Sequence, residues 1–459
     1  MGGGGDRERR GGGAPGLVRQ RLYAGERHVS PGGGRVGGRD RRFRGRHGRR
    51  ALPAGHRSDP RGQRQRLHPH LHHLRTGLRH GLDHHSFPRP AARARDARRT
   101  RPRVTFHIGI LGGGNISGTH ARAVGETPGV ELVACWGRNA EKAAEMAARY
   151  GARAYRDLDR FLEHRPMEVV LVGTPSGLHA EHARAAARQG LHVLVEKPLD
   201  VTTQRVDTLI EECDRAGVRL GVIFQDRAAP DLVWLKQLVA GGGLGTVFLT
   251  SARVKWYRPP EYYAGSTWRG TWALDGGGAL ANQGIHSIDL LLWLLGDVER
   301  VHAATRTAVH AIEVEDTAVA ALEFAGGAVG TLEAATSVFP GLPRRVEITG
   351  TEGTVIVEQD RVVSVHLRTP VPGPPPQEDR PASASATSPV VTDIRGHRRV
   401  LEDFLSAVRT GVPPLCDGRS PASGPPWLSC WSWRRSRSSP RRPLATSRRQ
   451  TFASCSHKR

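Results

Sequence analysis

The sequence has few cysteines, and they show none of the spacings that bind metals or form disulfide frameworks. The five cysteines are scattered, without a C-x-x-C pair, at Cys135, Cys213, Cys416, Cys430 and Cys455. An odd, scattered count is typical of a reducing compartment. The sequence also has no apolar signal-peptide core at its amino terminus and no uncharged run of about 18 apolar residues. We therefore expect a cytoplasmic protein without structural disulfides, metal sites or membrane spans.

Positive charge is in large excess, but only at the two ends of the chain. Lys and Arg number 68 and Asp and Glu 44, a net charge of +24. Residues 1–103 carry 27 arginines against 7 acidic residues, and residues 419–459 carry 10 basic residues and no acidic one. Residues 104–418 are therefore mildly acidic, with a net charge of −6. This distribution, together with the lack of any recognition motif, argues against a nucleic-acid partner.

The two basic ends lack helical and strand periodicity. Residues 1–103 are rich in Gly, Arg, His and Pro, and such a segment cannot bury enough apolar surface to offset the entropy of ordering it. We predict that residues 1–103 are disordered or mistranslated from an upstream start. Residues 419–459 change character abruptly after "CDGR", and we predict a disordered or frameshifted tail. A genuine basic arm is the alternative at either end.

The middle of the chain divides into two patterns. In residues 104–225, apolar strands such as "VTFHIGIL", "VELVACW" and "EVVLVGT" alternate with helices, which predicts βαβ units around a buried parallel sheet. Residues 226–418 contain one helix and then half-alternating strands such as "DTAVAALEFAGG". The predicted fold class is therefore α/β, with an N-terminal Rossmann dinucleotide-binding domain (104–225). It is followed by a C-terminal α+β domain with an open, largely antiparallel sheet (226–418).

A glycine-rich loop joins the first predicted strand to the first helix. "GILGGGNISGTHARAV" contains Gly112-x-Gly114-x-x-Ser117, with a small residue at the third position of the dinucleotide fingerprint. Glycine lets the chain turn tightly and lets a pyrophosphate approach the amides at a helix N-terminus. Its place directly after the first strand of a βαβ series predicts a dinucleotide site.

The end of the second strand bears on the choice of cofactor. An NAD site usually has Asp or Glu there to bind the ribose hydroxyls, but "ACWGRNAEK" has no acid and places Arg138 close by. A guanidinium can bind a 2′-phosphate with two hydrogen bonds. The sequence therefore favours NADP over NAD, with stacking of Arg138 on adenine or its exposure to solvent as the alternatives.

Four motifs in order, "GGGNIS", "GTPSGLHAEHA", "VLVEKPL" and "GGGALANQGIHSIDLLLWLLG", resemble the glucose–fructose oxidoreductase / inositol dehydrogenase (Gfo/Idh/MocA) family. The likeness spans about residues 104 to 418. It implies an NAD(P)-dependent oxidoreductase acting on a ring carbon of a sugar, cyclitol or related polyol. It also implies a homo-oligomer, a dimer or tetramer, formed through the C-terminal sheet.

The resemblance also implies which residues contact the cofactor. These expected positions follow the strands of the first domain, at Gly112, Gly114, Asn115, Ile116, Arg138, Thr174, Pro175, His179, Glu196, Lys197 and Gln225.

Hydride transfer from a carbinol requires a base for the hydroxyl proton and a cation to stabilise the alkoxide. Lys197 of "EKP" suits the cation, and His286, with an unperturbed pKa near 6.5, suits the base. The family more often has Asp four residues before this histidine, whereas this sequence has Asn282, and an amide can orient a group but cannot act as a base. Lys197 and His286 are therefore the predicted catalytic residues.

The segment "VKWYRPPEYYAGSTWRGTWALDGG", together with Asn282, is similar to nucleotide-sugar 3-dehydrogenases that act on UDP-N-acetyl-glucosaminuronate. Its aromatic and Arg residues suit sugar stacking and the binding of carboxylate or phosphate. Expected substrate contacts are Lys197, Arg258, Trp268, Arg269, Asn282 and His286. A non-catalytic dinucleotide-binding sensor on the same fold is the alternative function.

Overall fold

The computed structural model describes residues 106–376, 386–388 and 391–419, together with the backbone of residues 455–456. The predictions made for residues 1–103, and those made for most of 419–459, lie outside the described residues. The described chain forms two sheets, each with its own hydrophobic core.

The first sheet has six parallel strands in the order β3-β2-β1-β4-β5-β6. Its strands are β1 Phe106–Leu111, β2 Val130–Trp136, β3 Arg153–Tyr155, β4 Val169–Val172, β5 His192–Val195 and β6 Leu220–Val222. The helices between them are α1 Asn115–Glu126, α2 Ala140–Tyr150, α3 Leu158–Leu162, α4 His179–Arg188 and α5 Thr203–Ala216. The strand order reverses at β1/β4, and such a switch point places a ligand crevice at the carboxyl ends of the strands.

Local sequence explains the regularity of this half. Every residue of β4, "VVLV", is buried, as expected for a strand covered on both faces. The side chain of Asn139 caps α2 by accepting a hydrogen bond from the N–H of Lys142 at 2.9 Å. Helix α5 ends at Gly217, whose φ of +66° is the left-handed conformation that glycine adopts without strain. The predicted Rossmann domain is thus confirmed.

The second sheet is mixed and mostly antiparallel, in the order β13-β12-β11-β7-β10-β9-β8, with the short strand β14 on its β8 edge. Its strands are β7 Val247–Lys255, β8 Val298–Arg306, β9 Thr317–Phe324, β10 Val329–Ala335, β11 Arg345–Gly350, β12 Gly353–Glu358, β13 Arg361–Leu367 and β14 Cys455–Ser456. Helices α6 Pro230–Ala240, α7 Pro260–Ala264 and α8 Ile285–Leu295 accompany it. Among the strand pairs of this sheet that the structure describes, β7 with β10 is the parallel one, and the predicted α+β fold class is confirmed.

One face of the second sheet is covered and the other is open. Leu332 and Ala334 of β10 are buried in the core that α6 and α8 share, whereas Val329 is half exposed. The open face also presents Leu249 of β7, which pairs with Val329, and Val319 of β9. This alternation follows from the period of two along a strand.

The last described helix returns to the first domain. Helix α9, Arg395–Thr410, places Val400, Leu401, Phe404 and Leu405 in the core of the parallel sheet. The N–H of Val222 in β6 then donates to the carbonyl of Cys416 at 2.9 Å. The segment predicted as one domain, 226–418, therefore contains a C-terminal part whose apolar side chains complete the Rossmann core. Helical period alone does not show which of two sheets an amphipathic helix covers.

Candidate active site

A cavity of about 1000 Å³ lies at the carboxyl ends of the parallel strands, between the two domains. It runs from the loop after β1 to the segment Tyr262–Arg269 and the turn before α8. All sixteen predicted site residues line it: Gly112, Gly114, Asn115, Ile116, Arg138, Thr174, Pro175, His179, Glu196, Lys197, Gln225, Arg258, Trp268, Arg269, Asn282 and His286.

The glycine loop has the form that a pyrophosphate requires. Gly112 has a φ of +141°, and a Cβ there would lie 2.4 Å from the Oγ of Ser117 and 2.5 Å from the carbonyl oxygen of Gly173. A Cβ at Gly114 would meet no atom within 4 Å, because that position faces the cavity. Gly114 is also the N-cap of α1 and makes no side-chain capping hydrogen bond. The first amides of α1 are thus available to an anion, and the loop fits a dinucleotide.

The ribose end of the cavity is formed by residues after β2. Arg138 is exposed and lines the cavity beside Trp136 and Asn139. The indole N–H of Trp136 donates to the carbonyl of Arg156 at 3.1 Å, which fixes the ring against the wall. No carboxylate from β2 lines this wall, where Arg138 and Lys142 supply positive charge.

His179 joins the loops that follow β4 and β5. Its Nδ1 lies 2.7 Å from the carbonyl oxygen of Pro198, and its Nε2 lies 2.8 Å from that of Thr174. Burial lowers the pKa of His179. With its two ring nitrogens directed at these backbone carbonyls, His179 holds Thr174 and Pro198 in place while it lines the cavity.

Glu196 also faces the protein interior. Its Oε1 lies 3.1 Å from Nε2 of His120 on α1 and 4.0 Å from Nε2 of His397 on α9. Burial raises the pKa of Glu196, but the close contact with His120 and the charges of His120, His397 and Lys197 outweigh it and hold the pKa at about 2. The carboxylate therefore ties α1 and α9 to the end of β5, immediately before Lys197. Gln225 lines the cavity at the start of a 3₁₀ turn, with Gly396 of α9 packed on its side chain.

Lys197 extends from the end of β5 to the second domain. Its Nζ donates to the backbone carbonyl of Asn282 at 3.0 Å and to the Oδ1 of Asn282 at 3.3 Å. The Nδ2 of Asn282 donates in turn to Oδ1 of Asp275 at 2.9 Å. Burial lowers the pKa of Lys197, a change that the charges of Glu196 and Asp275 oppose.

His286 lies in the first turn of α8 and faces the same cavity. Its Nδ1 is buried and has no hydrogen-bond partner among the described residues. The Phe224 ring stands edge-on to the imidazole, with 6.4 Å between the ring centroids. Burial and the charge of Lys197 lower the pKa of His286 well below 6.5. The imidazole is therefore neutral at physiological pH and has one nitrogen directed at no protein group.

Asn282 lies outside the regular helix α8 that carries His286. Residues Ala279–Gly284 form a single π-helical turn ahead of α8. The carboxylate of Glu315 accepts the N–H of Gly278 at 2.9 Å and the N–H of Leu280 at 3.0 Å, which anchors the turn. Such turns are frequent at functional sites.

The far wall of the cavity combines arginines and aromatic rings. The guanidinium of Arg269 lies over Tyr262 at 4.6 Å and over Trp268 at 5.0 Å from the ring centroids. Arg258 is buried, and its Nη1 donates to the carbonyl of Tyr257 at 2.9 Å. Arg269 thus presents a charged, stacked surface, whereas Arg258 supports the wall from behind.

Two further residues that shape the site, one behind the cavity wall and one lining it, were not predicted from the sequence. Asp275, in "DGGG", holds the amide of Asn282, and its only sequence signal is its place seven residues before Asn282. Arg344 precedes β11, lines the cavity and pairs with Asp226. Nothing in its own sequence neighbourhood distinguishes it. Among the described residues, no three His, Cys, Asp or Glu side chains are grouped so as to hold a metal ion. No described helix is long and apolar enough to cross a membrane.

Fold and site together define a two-domain, dinucleotide-dependent oxidoreductase. Residues 106–224 match the family model "Oxidoreductase family, NAD-binding Rossmann fold", and residues 232–356 match "GFO/IDH/MocA C-terminal domain". The chain belongs to the Gfo/Idh/MocA family of oxidoreductases.

Characterised relatives are dehydrogenases of sugars and nucleotide sugars. A crystal structure of the WlbA dehydrogenase from Bordetella pertussis, in complex with NADH and UDP-GlcNAcA, is 33% identical, with a TM-score of 0.62. The match covers 70% of this chain and 93% of that one. D-apiose dehydrogenase of Paraburkholderia graminis is 27% identical, over 68% of this chain and 83% of its own length. UDP-N-acetylglucosamine 3-dehydrogenase of Acidithiobacillus ferrooxidans is 28% identical, over 69% of this chain and 92% of its own length.

These relatives bear on the cofactor. The Bordetella protein holds NADH, and so does the WlbA dehydrogenase of Chromobacterium violaceum, which is 28% identical with a TM-score of 0.61. The resemblance to an NAD(P)-dependent family is confirmed, whereas the preference for NADP that the sequence favoured finds no support.

Proposed function

We propose that the protein transfers a hydride between NAD(H) and a ring carbinol of a nucleotide sugar, with Lys197 and His286 handling the hydroxyl proton. One observation carries the proposal: these two side chains come from different domains and line one cavity with Gly112 and Gly114. A carbinol bound between them has a cation and a proton acceptor on its oxygen side, and the cofactor loop is part of the same cavity.

The electrostatics of the two residues divide their roles. His286 is neutral, since burial and the charge of Lys197 lower its pKa, and a neutral imidazole accepts the hydroxyl proton. The Lys197 ammonium stabilises the negative charge that develops on the carbinol oxygen. Held by the glycine loop at Gly112 and Gly114, NAD⁺ would supply the acceptor for the hydride of the carbinol carbon. The C–H electron pair leaves with the hydride, and a C=O bond forms from the O–H electrons.

The wall of the cavity supports a nucleotide sugar as substrate. Arg269, stacked between Tyr262 and Trp268, is suited to a carboxylate or phosphate beside a sugar ring. The cavity lies at the upper end of the range of about 300–1,000 Å³ that is usual for ligand sites. The relative with 33% identity holds UDP-GlcNAcA together with NADH.

We also propose a homo-oligomer formed through the open face of the second sheet. Leu249, Val319 and Val329 present apolar side chains there, each about half exposed. Around them lie ion pairs such as Lys255–Glu333, with 2.7 Å between Nζ and Oε2. An apolar centre with a charged surround is a common arrangement in subunit interfaces.

Turnover of a substrate panel tests the catalytic proposal. We expect the full chain to reduce NAD⁺ with UDP-GlcNAcA faster than with free sugars or inositol, and faster than it reduces NADP⁺. Lys197→Ala and His286→Ala should each lower kcat by about 10²–10⁴-fold, while the NADH affinity of His286→Ala stays unchanged. Oxidation should slow as the pH falls through the lowered pKa of His286, well under 6.5, and this low-pH limb should vanish in His286→Ala.

Two outcomes contradict the proposal. Tight NADH binding without turnover of any panel member indicates the alternative of a non-catalytic dinucleotide sensor. Near-normal turnover by His286→Ala shows that this histidine is a packed core residue.

A further inference from the structure

A buried carboxylate lies on the side of Asn282 away from Lys197. Asp275 is 3% exposed, and it is separated from the cavity by the amide of Asn282. Its Oδ1 accepts from Nδ2 of Asn282 at 2.9 Å, and its Oδ2 accepts from the N–H of Gly270 at 2.8 Å. Both carboxylate oxygens are therefore engaged, one by the turn ahead of α8 and one by the loop that carries Trp268 and Arg269.

The carboxylate determines which way the amide faces. An ionised carboxylate can only accept hydrogen bonds, so Asn282 must direct its NH₂ group to Asp275. Its Oδ1 is then directed to the Nζ of Lys197, 3.3 Å away. If the amide were reversed, its NH₂ group would face the Lys197 ammonium, and two donors would meet. The Lys197 ammonium thus faces the amide oxygen of Asn282, and the amide nitrogen of Asn282 faces the Asp275 carboxylate.

We propose that Asp275 is a positioning residue that fixes the orientation of Lys197 by acting through the amide of Asn282. The inference rests on the proposed function, because it assigns Asp275 a part in the work of Lys197. It also accounts for the amide at position 282. The carboxylate that assists Lys197 is that of Asp275, on the far side of the Asn282 side chain. A carboxylate at position 282 would face Asp275 directly.

Several charged and titratable groups surround this arrangement. Those that act on Lys197 are Glu196, Asp275, Arg258, Arg269, His286 and His397. Those that act on Asp275 include Lys197, Arg269, Tyr262, Tyr263 and Glu315. Burial raises the pKa of Asp275 to about 6, against the hydrogen bond from Gly270 and the charge of Lys197. The carboxylate is therefore ionised above about pH 6 and becomes protonated below it.

Exchange of the two side chains tests the proposal. In Asp275→Asn, the new amide must donate to Asn282, which then turns its own NH₂ group toward Lys197. We expect kcat to fall by about 10–100-fold, as for the loss of one hydrogen bond to a charged group, with NADH affinity unchanged. In Asn282→Asp, kcat should fall by a similar factor, because the carboxylates at positions 275 and 282 then face each other. The double variant Asp275→Asn/Asn282→Asp restores one amide and one carboxylate, and should recover most of the loss.

The pH profile separates positioning from a structural role. In the wild type, kcat should show a step near pH 6 as Asp275 becomes protonated, distinct from the lower step of His286. Asp275→Asn should remove the step near pH 6 alone. The matched control is Asp316→Asn, which removes another buried carboxylate, one that accepts backbone N–H groups at residues 308–310. We expect a lower Tm from that control and an unchanged pH profile.

Chemical labelling of Lys197 gives a readout that does not depend on turnover. Loss of the Asp275 charge should lower the pKa of Lys197 further. Acetic anhydride should then acylate Lys197 severalfold faster in Asp275→Asn than in the wild type, as followed by mass spectrometry. Wild-type kcat in Asp275→Asn, or a double variant as impaired as the single variants, would overturn the inference. If no panel substrate turns over but the labelling changes as expected, the proposed function fails and the positioning role stands.

Discussion

The two glycines of the cofactor loop serve different purposes. Gly112 adopts a backbone conformation that other residues avoid, and the Ser117 hydroxyl and the Gly173 carbonyl fill the space beside it. Gly114 has free space beside it and faces the cavity. The glycine pattern in the sequence does not distinguish these two positions, because the space beside each glycine depends on residues elsewhere in the chain.

We therefore expect Gly114→Val to lose NADH affinity without loss of stability. The added side chain would occupy the approach of the pyrophosphate to the amides of α1. Calorimetric titration with NADH and thermal unfolding measure the two properties. Gly112→Val is the matched control, and it should lower Tm, since its Cβ meets backbone and the φ is strained. Normal NADH affinity in Gly114→Val would refute the placement of the cofactor.

Residue types and motif order predicted sixteen of the residues that line the cavity, including Lys197 and His286. They were not sufficient to predict what each side chain contacts. His179 and Glu196 lie in the expected loops but direct their polar atoms at Pro198, Thr174 and His120. Asp275 was not predicted, because its partner Asn282 reaches it only through the π turn.

At the scale of elements, the alternation of strands and helices predicted both sheets. It did not predict the π turn at Ala279–Gly284, which depends on Glu315, a residue of a later loop. A Cβ at Gly278 would lie 1.6 Å from the carbonyl oxygen of Glu315, so the turn also requires glycine there. These are tertiary contacts, and hydrophobic periodicity carries no information about them.

Helix α9 offers a test of which hydrophobic core the residues after 394 belong to. Phe404 is 1% exposed and packs in the Rossmann core, where a Cβ at Gly221 of β6 would lie 2.7 Å from its ring. We expect Phe404→Ala to lower the free energy of unfolding by about 3–5 kcal/mol, as for other large cavities. Denaturant titration monitors the loss. Addition of saturating NADH should recover part of it, because the ligand stabilises the domain that the helix completes.

A smaller effect on the exposed side of the same helix provides the comparison. Arg409 in the last turn is exposed, and Arg409→Ala should change the free energy of unfolding by no more than about 0.5 kcal/mol. Equal losses for Phe404→Ala and Arg409→Ala would indicate that α9 does not belong to the Rossmann core.

At the scale of the whole molecule, the open sheet face predicts self-association. Val319→Glu with Val329→Glu places two carboxylates at the apolar centre of that face, and Val319 lies opposite Glu333 and Val329 opposite Glu323 in the β9–β10 pairing. We expect a dimer or tetramer to become a monomer, with Tm lowered only modestly. Multi-angle light scattering measures the mass.

The matched control for the interface places carboxylates at an exposed site away from this face. Val412→Glu follows α9, where the side chain is 62% exposed, and should leave the mass unchanged. A wild-type protein that is already monomeric at micromolar concentration would contradict the proposed interface.

The return of α9 to the first sheet also affects how the protein is made. Strands β1 to β6 are synthesised well before residues 395–416, so part of the Rossmann core is uncovered until α9 has been made. During that interval Glu196 has His120 beside it but not yet His397, and the wall of the cavity that Gly396 and Arg399 supply is absent. The wall of the nucleotide cavity is therefore complete only after residues 395–416 have been synthesised, although its fingerprint loop is synthesised first.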